Sequence, residues 1–199
     1  MQHYFIDKPH VSTDYFDFTD NVLGLDLCFR SCDSIFSKDR IDDGTRALLN
    51  AINKKCNITG HGLDLGCGLG VIAIAMIKKY GVTFDMVDIN DTAVRLSNEN
   101  LIKNNVQHSA RAYRSDGFSS VEGEFDFIIT NPPIKTGKAL LFSLMTDSLS
   151  HLRSAGQLVL VIRKSHGMES LKKHLIQTYG NCEIIARDKG YYILQSIKE

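Results

Sequence analysis

Asp64-Leu65-Gly66-Cys67-Gly68-Leu69-Gly70 stands between the apolar residues 63–65 and the run 71–80, whose small and branched apolar side chains recur at helical spacing. Three glycines between a strand and a helix let the backbone turn tightly and approach a ligand with no side chain in the way. A dinucleotide fingerprint would read G-x-G-x-x-G, but position 71 is Val and the spacing is G-x-G-x-G. That argues against a nicotinamide dehydrogenase. The helix opened by such a loop offers unpaired N–H groups to a carboxylate as readily as to a phosphate.

Working outward, residues 82–88 read as a second strand ending in Asp88, which lies 22 residues after Gly66. An acid at that place can accept both hydroxyls of a ribose, and Ile89 beside it can pack on one face of an adenine. Asp116, in Arg114-Ser115-Asp116-Gly117, is placed to accept an adenine exocyclic amine. Blander readings stay open: Asp88 as a helix N-terminal charge, Asp116 as part of an ordinary Ser-Asp-Gly turn.

The rest of the chain alternates in the same way. Residues 91–103 read as a helix capped by Asn90 or Asp91-Thr92, residues 108–113 and 125–130 as strands, and residues 138–152 as a helix. Residues 156–162 read as a strand and 168–179 as a helix. Residues 182–186 and 191–196 close the chain as a hairpin around Asp188-Lys189-Gly190. Repeated strand–helix units predict an α/β fold with a mostly parallel sheet covered on both faces, the final hairpin adding one antiparallel strand. Residues 1–60 differ, with a small hairpin around 15–18 and 25–29 and a helix at 45–53. We therefore divide the chain into an N-terminal extension, 1–60, and a sheet domain, 61–199.

At 199 residues the chain suits one domain, and its 43% hydrophobic and 23% charged content excludes a disordered or a membrane-embedded protein. No apolar run approaches the ~18–20 residues that span a bilayer, and residues 1–9 show no secretory signal. Five cysteines (Cys28, Cys32, Cys56, Cys67, Cys182) form no CxxC pair, which predicts reduced thiols in a cytoplasmic protein. Seven scattered histidines lack ligand spacing, so no metal is expected. Net charge is zero, which argues against strong non-specific binding to nucleic acid. It is unevenly spread: residues 1–45 carry nine acids against four bases, residues 151–199 eight bases against four acids. Either both are solvated faces, or the basic half meets phosphates while the acidic part faces away.

Directly after the apolar run 125–130 come Asn131-Pro132-Pro133-Ile134. An Asn side-chain oxygen and the carbonyl of Pro132, at the tip of a strand, make two acceptors. Two acceptors grip an –NH2 group that is about to be methylated.

Taken in order, the residues from Asp64 to Gly70, Val87-Asp88-Ile89-Asn90, Asp116 and Asn131-Pro132-Pro133-Ile134 resemble the class I S-adenosylmethionine-dependent methyltransferases, over most of the chain from residue 61 on. Three further stretches resemble the small-subunit ribosomal RNA guanine-N2 methyltransferase family and its short single-domain members. They are Ile35-Phe36-Ser37-Lys38-Asp39-Arg40-Ile41-Asp42-Asp43-Gly44-Thr45, Asn131-Pro132-Pro133-Ile134-Lys135-Thr136-Gly137-Lys138 and Asp188-Lys189-Gly190-Tyr191-Tyr192. The resemblance implies a Rossmann-like seven-stranded sheet in the order 3-2-1-4-5-7-6 with helices on both faces. It implies S-adenosyl-L-methionine as cofactor, held by Asp64, Gly66, Cys67, Gly68, Gly70, Asp88, Ile89 and Asp116, with Phe36 in a segment, 36–45, that closes over the methionyl end. Asn131 and Pro132 become the catalytic residues, and Pro133, Ile134, Lys135 and Lys138 the substrate contacts. The implied partner is ribosomal RNA or the small ribosomal subunit.

Two departures stand out. Longer members of that family carry an additional N-terminal methyltransferase-like half. Many amino-methylating relatives have an aromatic residue where this chain has Ile134, so apolar contact replaces a stack on a flipped base. Rival substrates are adenine in DNA and a glutamine amide in a translation protein, which the Ile disfavours. A rival of another class is a cofactor-binding module without turnover, against which the intact Asn131-Pro132-Pro133 argues.

Overall fold

The computed structural model describes residues 14–33, 35, 40–132 and 137–199. Strands β1 (Tyr15–Val22) and β2 (Leu25–Cys32) form a hairpin, and helix α1 (Asp43–Lys55) follows. Next come β3 (His61–Leu65), α2 (Val71–Tyr80), β4 (Thr83–Asp88), α3 (Asp91–Lys103), β5 (Ala110–Arg114) and β6 (Phe125–Thr130). The chain continues through α4 (Lys138–Ser150), β7 (Leu152–Arg163), α5 (Met168–Tyr179), β8 (Glu183–Asp188) and β9 (Tyr191–Ile197).

Seven strands make one sheet in the order β5-β4-β3-β6-β7-β9-β8. Numbered from β3, that is the expected 3-2-1-4-5-7-6. β3, β4, β5, β6 and β7 run parallel, and β9 is antiparallel to both β7 and β8. Strand residues alternate between the two faces. Phe127, Ile129, Val159 and Val161 join α1 and α2 in one buried cluster, while Ile128, Leu158, Leu160 and Ile162 join α4 and α5 in the other. Both faces are covered, as parallel strands require.

Element boundaries differ from the sequence expectations at a few places, each for a local reason. Helix α1 starts at Asp43 rather than 45, because Asp42 caps it by accepting the Thr45 N–H at 3.0 Å. Strand β5 starts at Ala110 rather than 108, because Ser109 N–H turns back to the Val106 carbonyl. Strand β7 starts at Leu152, inside the expected helix. Leu152 pairs with Phe125, and the register then slips where Ala155 takes a left-handed φ of 61°. The β8–β9 turn uses Lys189 and Gly190 at φ 45° and 83°, and the β1–β2 turn uses Leu23 and Gly24 at 55° and 76°. Two central residues at positive φ match the twist of a hairpin.

The β1–β2 hairpin docks by polar pairing along one edge as well as by apolar burial. On α3, Asn100 accepts from Arg30 N–H at 2.6 Å and donates to the Arg30 carbonyl at 3.1 Å. One turn on, Asn104 does the same for Cys28, accepting at 3.2 Å and donating at 2.7 Å. Two asparagines thus satisfy backbone groups of an edge strand that would otherwise stay open.

Candidate active site

At the carboxyl ends of the parallel strands lie the glycine loop after β3, Asp88 at the end of β4, Ser115 and Asp116 after β5, and Asn131 after β6. β3 and β6 are neighbours whose following connections run to opposite sides of the sheet. That crevice is where ligands bind in open α/β sheets.

The loop's shape is set from below. Gly66 and Cys67 N–H groups both donate to the Val87 carbonyl at 2.9 Å, and Ser97 and Asn100 of α3 donate to the Gly68 and Leu69 carbonyls at 2.9 and 3.0 Å. Gly66 and Gly68 have φ of 78° and 55°, and a methyl group on either would meet nothing within 4 Å. Their open side is therefore a cradle that a ligand can fill. Gly70, φ 81°, differs: a methyl group there would lie 2.7 Å from Met86 Cε, so this glycine serves packing. Cys67 turns its thiol into the core, 3.5 Å from Ser97 Oγ, and burial pushes that thiol well above its usual pKa.

Asp64 is fully buried at the floor of the cradle. One oxygen accepts from Ala73 N–H in the first turn of α2 at 3.3 Å, which replaces the side-chain cap that Gly70 cannot supply. The other oxygen has no hydrogen-bond partner among the described residues. Burial, aided by the charge of Asp88, pushes the carboxyl up to about 7. A buried oxygen of this kind calls for a donor, and a cationic amine entering the cradle would be one.

Asp88 is half-buried, with one oxygen on Gly68 N–H at 3.0 Å and the other on Asn90 N–H at 2.9 Å. Each oxygen keeps lone-pair capacity for a diol. Ile89 is 57% exposed, an unusual position for a large apolar side chain. It lines a cavity of about 320 Å³ together with Arg114, Ser115, Asp116, Ser119 and Ser120. Asp116 is exposed, and its backbone N–H and the Ser115 hydroxyl knit the turn internally. The cavity has the size, the apolar wall and the acceptor that an adenine needs. A larger cavity, about 500 Å³, lies at the far end of the sheet near Asn181 and Gln195, away from every predicted residue.

Asn131 is half-buried, and its amide nitrogen faces the start of α1. Nδ2 lies 3.0 Å from Thr45 Oγ1 and 3.2 and 3.4 Å from the two Asp42 oxygens. Thr45 in turn donates its hydroxyl to Asp42 at 2.6 Å. A carboxylate only accepts, so chemistry dictates that nitrogen and not oxygen points at Asp42. The Asn131 oxygen is turned the other way, and no described residue donates to it. Asp42 is itself held: Asp20 of β1 accepts the Ile41 N–H at 2.9 Å and pairs with Arg46 of α1. Asp42 and Thr45 are absent from the residues predicted from sequence, although both lie in a stretch that carried the resemblance.

Of the predicted substrate contacts, Lys138 is the first residue of α4, exposed, its ammonium 5.2 Å from the Phe142 ring centroid. Phe36, Pro133, Ile134 and Lys135 lie outside the described residues. Among those described, no His, Cys, Asp and Glu cluster could hold a metal ion, and no helix is long and apolar enough to cross a membrane.

Comparison with known proteins agrees with this fold. The family described as methyltransferase small domain matches residues 26–195. The chain is 34% identical to the uncharacterised protein YbxB of Bacillus subtilis, covering 99% of this chain and 98% of that protein. It is 36% identical to ribosomal RNA small subunit methyltransferase C of Haemophilus influenzae, covering 96% of this chain but 58% of that enzyme. Among solved structures, the Thermus thermophilus 16S rRNA N2 G1207 methyltransferase, in complex with AdoMet and guanosine, superposes with a TM-score of 0.83 at 24% identity. That match covers 93% of this chain and 51% of the Thermus protein. The chain thus spans about half the length of the named methyltransferases that it resembles.

Proposed function

The chain belongs to the methyltransferase small domain family, and from that premise we propose that it methylates the exocyclic N2 amine of guanine in small-subunit ribosomal RNA. S-adenosylmethionine, when bound, supplies an electrophilic sulfonium methyl group. Asp64 holds the amino group of its methionyl part, the open faces of Gly66 and Gly68 leave room for its chain, and Asp88 accepts from the ribose hydroxyls. Ile89 and Asp116 take the adenine in the cavity after β5. Residues 61–199 form the catalytic unit, and the extension 1–60 contributes the side chains that aim Asn131.

One observation carries the reading: the amide nitrogen of Asn131 is committed to Asp42 and Thr45, which leaves its oxygen as an acceptor at the crevice. A guanine amine is a poor nucleophile because its lone pair is delocalised into the ring. The Asn131 oxygen and the Pro132 carbonyl each accept one of its N–H bonds, favouring a pyramidal nitrogen with the lone pair free. The methylated nitrogen is acidic and sheds its proton to water, so no strong side-chain base is required. Catalysis is then positioning and preorganised polarity. A guanine held in a duplex would have to be unstacked at a cost of a few kcal/mol, so a loop or single strand is the preferred target. Pro133, Ile134, Lys135 and Lys138 follow Asn131 in the chain and are assigned to the substrate side.

Support for the RNA substrate comes from the names of the relatives, and the two-acceptor tip supports an exocyclic amine as the methyl acceptor. Labelled methyl transfer to small-subunit ribosomal RNA made by transcription, to naked DNA and to release-factor protein, run side by side, tests it. Label in the RNA alone is expected, and label confined to DNA or protein would overturn the substrate. Calorimetric cofactor binding with no label in any pool would instead favour a cofactor-binding module.

A further inference from the structure

Most arginines of the described chain are neutralised within the fold. Arg30, Arg46, Arg95, Arg111, Arg114 and Arg153 each pair with a carboxylate. Arg163 and Arg187 have aromatic rings instead. Arg163 lies with its guanidinium 4.4 Å from the Tyr191 ring centroid and donates to the Tyr191 hydroxyl at 2.7 Å. Arg187 lies 5.3 Å from the Tyr192 ring centroid. Both pairs are cross-strand partners, Arg163 opposite Tyr191 and Arg187 opposite Tyr192. They sit where β7 ends and the β8–β9 hairpin turns, and Lys164 N–H donates to the Gly190 carbonyl there at 3.1 Å. Lys164 and Lys189 are exposed at the same tip. No ion pair joins any of these four bases to a carboxylate among the described residues; Asp188 lies beside Lys189 at the tip, and Asp42 and Asp43 stand at the start of α1, on the far side of Tyr191.

This cluster is continuous with the candidate active site. Tyr191 lies against the first turn of α1. A methyl group on Gly44 would be 2.9 Å from Tyr191 Cε1 and 3.0 Å from Asp42 Oδ1. Asp42 in turn holds Asn131. The path from the methyl-acceptor tip to the basic cluster therefore runs through Asn131, Asp42, Gly44, Tyr191 and Arg163, neighbours in that order.

We infer that this edge is the surface on which the RNA strand flanking the target base lies, its phosphates on Arg163, Lys164 and Lys189 and an unstacked base against the Arg163–Tyr191 stack. The inference rests on the proposed RNA substrate. Uncompensated bases supply the charge that phosphates need. Guanidinium planes and tyrosine rings supply faces on which single-stranded bases stack. An acidic protein would use the charges but would leave the stacked faces without a purpose. Arg187 and Tyr192 extend the same tip toward the other face of the sheet.

The test compares the full chain with the triple variant Arg163→Gln/Lys164→Gln/Lys189→Gln. A charge-matched control, Lys54→Gln/Lys78→Gln/Lys79→Gln, removes exposed bases at the opposite ends of α1 and α2. Filter retention of transcribed small-subunit ribosomal RNA is measured across a salt series, with S-adenosylmethionine binding by calorimetry as the measure of an intact fold. The edge variant is expected to bind RNA at least tenfold more weakly. Its salt slope should be shallower by about 0.7 for each phosphate that the variant no longer neutralises, and its cofactor affinity unchanged. The control should match the wild type.

Equal RNA affinity and salt slope in wild type and edge variant would overturn the inference. Methyl transfer to the same RNA is read separately. Binding abolished in the edge variant with no transfer by any form would keep the surface and sink the guanine reading. Transfer undiminished in the edge variant would do the reverse.

Discussion

The buried carboxyl of Asp64 yields a quantitative prediction. Its pKa stands at about 7 in the folded chain, against an ordinary value of 3.8. Between these two values the folded protein holds a proton that the unfolded chain has released. Stability is therefore greatest below the lower value and falls as pH rises toward the upper one, beyond which the loss is complete. Each pH unit in that window is worth about 1.4 kcal/mol. The full penalty is then about 4 kcal/mol above pH 7, and 1 to 2 kcal/mol of it, roughly, is already present at pH 5. Asp64→Asn keeps an oxygen for the Ala73 N–H but cannot ionise. Its stability relative to the wild type should improve by roughly 2 to 3 kcal/mol between pH 5 and pH 8. Urea unfolding of both proteins at the two pH values measures this, and contributions common to the two proteins cancel in the difference. A variant-minus-wild-type difference that stays constant from pH 5 to pH 8 would show that folding does not raise the Asp64 pKa. Saturating S-adenosylmethionine should lower the Asp64 pKa, since an ammonium beside the unpaired oxygen favours its ionised form, and so shrink the pH effect.

Other consequences follow from single interactions. Asp42→Asn keeps an equally good helix cap but no longer dictates which end of the Asn131 amide faces α1. Losing a charged partner worth roughly 1.5–3 kcal/mol should lower kcat about ten- to hundredfold in steady-state methyl transfer, with cofactor affinity unchanged. Gly70→Ala combines a left-handed backbone with a clash on buried Met86, so it should lose about 2–4 kcal/mol of unfolding free energy. Gly81→Ala has similar φ but open space and should lose only about 1–2 kcal/mol. Asp88→Ala removes the acceptor proposed for two ribose hydroxyls, and calorimetry should show cofactor affinity weaker by about a hundredfold or more.

Much of the fold was legible because its signals are local. The glycine spacing after β3, the alternation along the strands and the turn residues at 188–190 all act within a few positions of chain. Asp43 as the start of α1 was not legible, because a cap is settled by one hydrogen bond, from Thr45 to Asp42. The hairpin's docking was hidden for a different reason. Asn100 and Asn104 meet β2 across 70 and 76 positions, and nothing in a helix-forming stretch marks an asparagine as a partner for a distant backbone. The site divides in the same way. Asp64, Gly66, Gly68, Asp88 and Asp116 could be placed from spacing, since strand ends bring them together. Cys67 sits in the same loop, yet its side chain turns into the core toward Ser97 of α3. Asn131 was visible as a chemical group, but its orientation depends on Asp42 and Thr45, 89 and 86 positions away.

In the proposed reaction Asn131, aimed by Asp42, presents its oxygen to a guanine amine. Transcribed small-subunit ribosomal RNA is incubated with S-adenosylmethionine and either wild type or Asn131→Ala, digested to nucleosides and analysed by mass spectrometry. N2-methylguanosine is expected with the wild type. A yield lower by a factor on the order of a hundred or more is expected with the variant, which should bind cofactor as tightly as the wild type does. N6-methyladenosine as the product, or an undiminished yield from Asn131→Ala, would contradict that reaction.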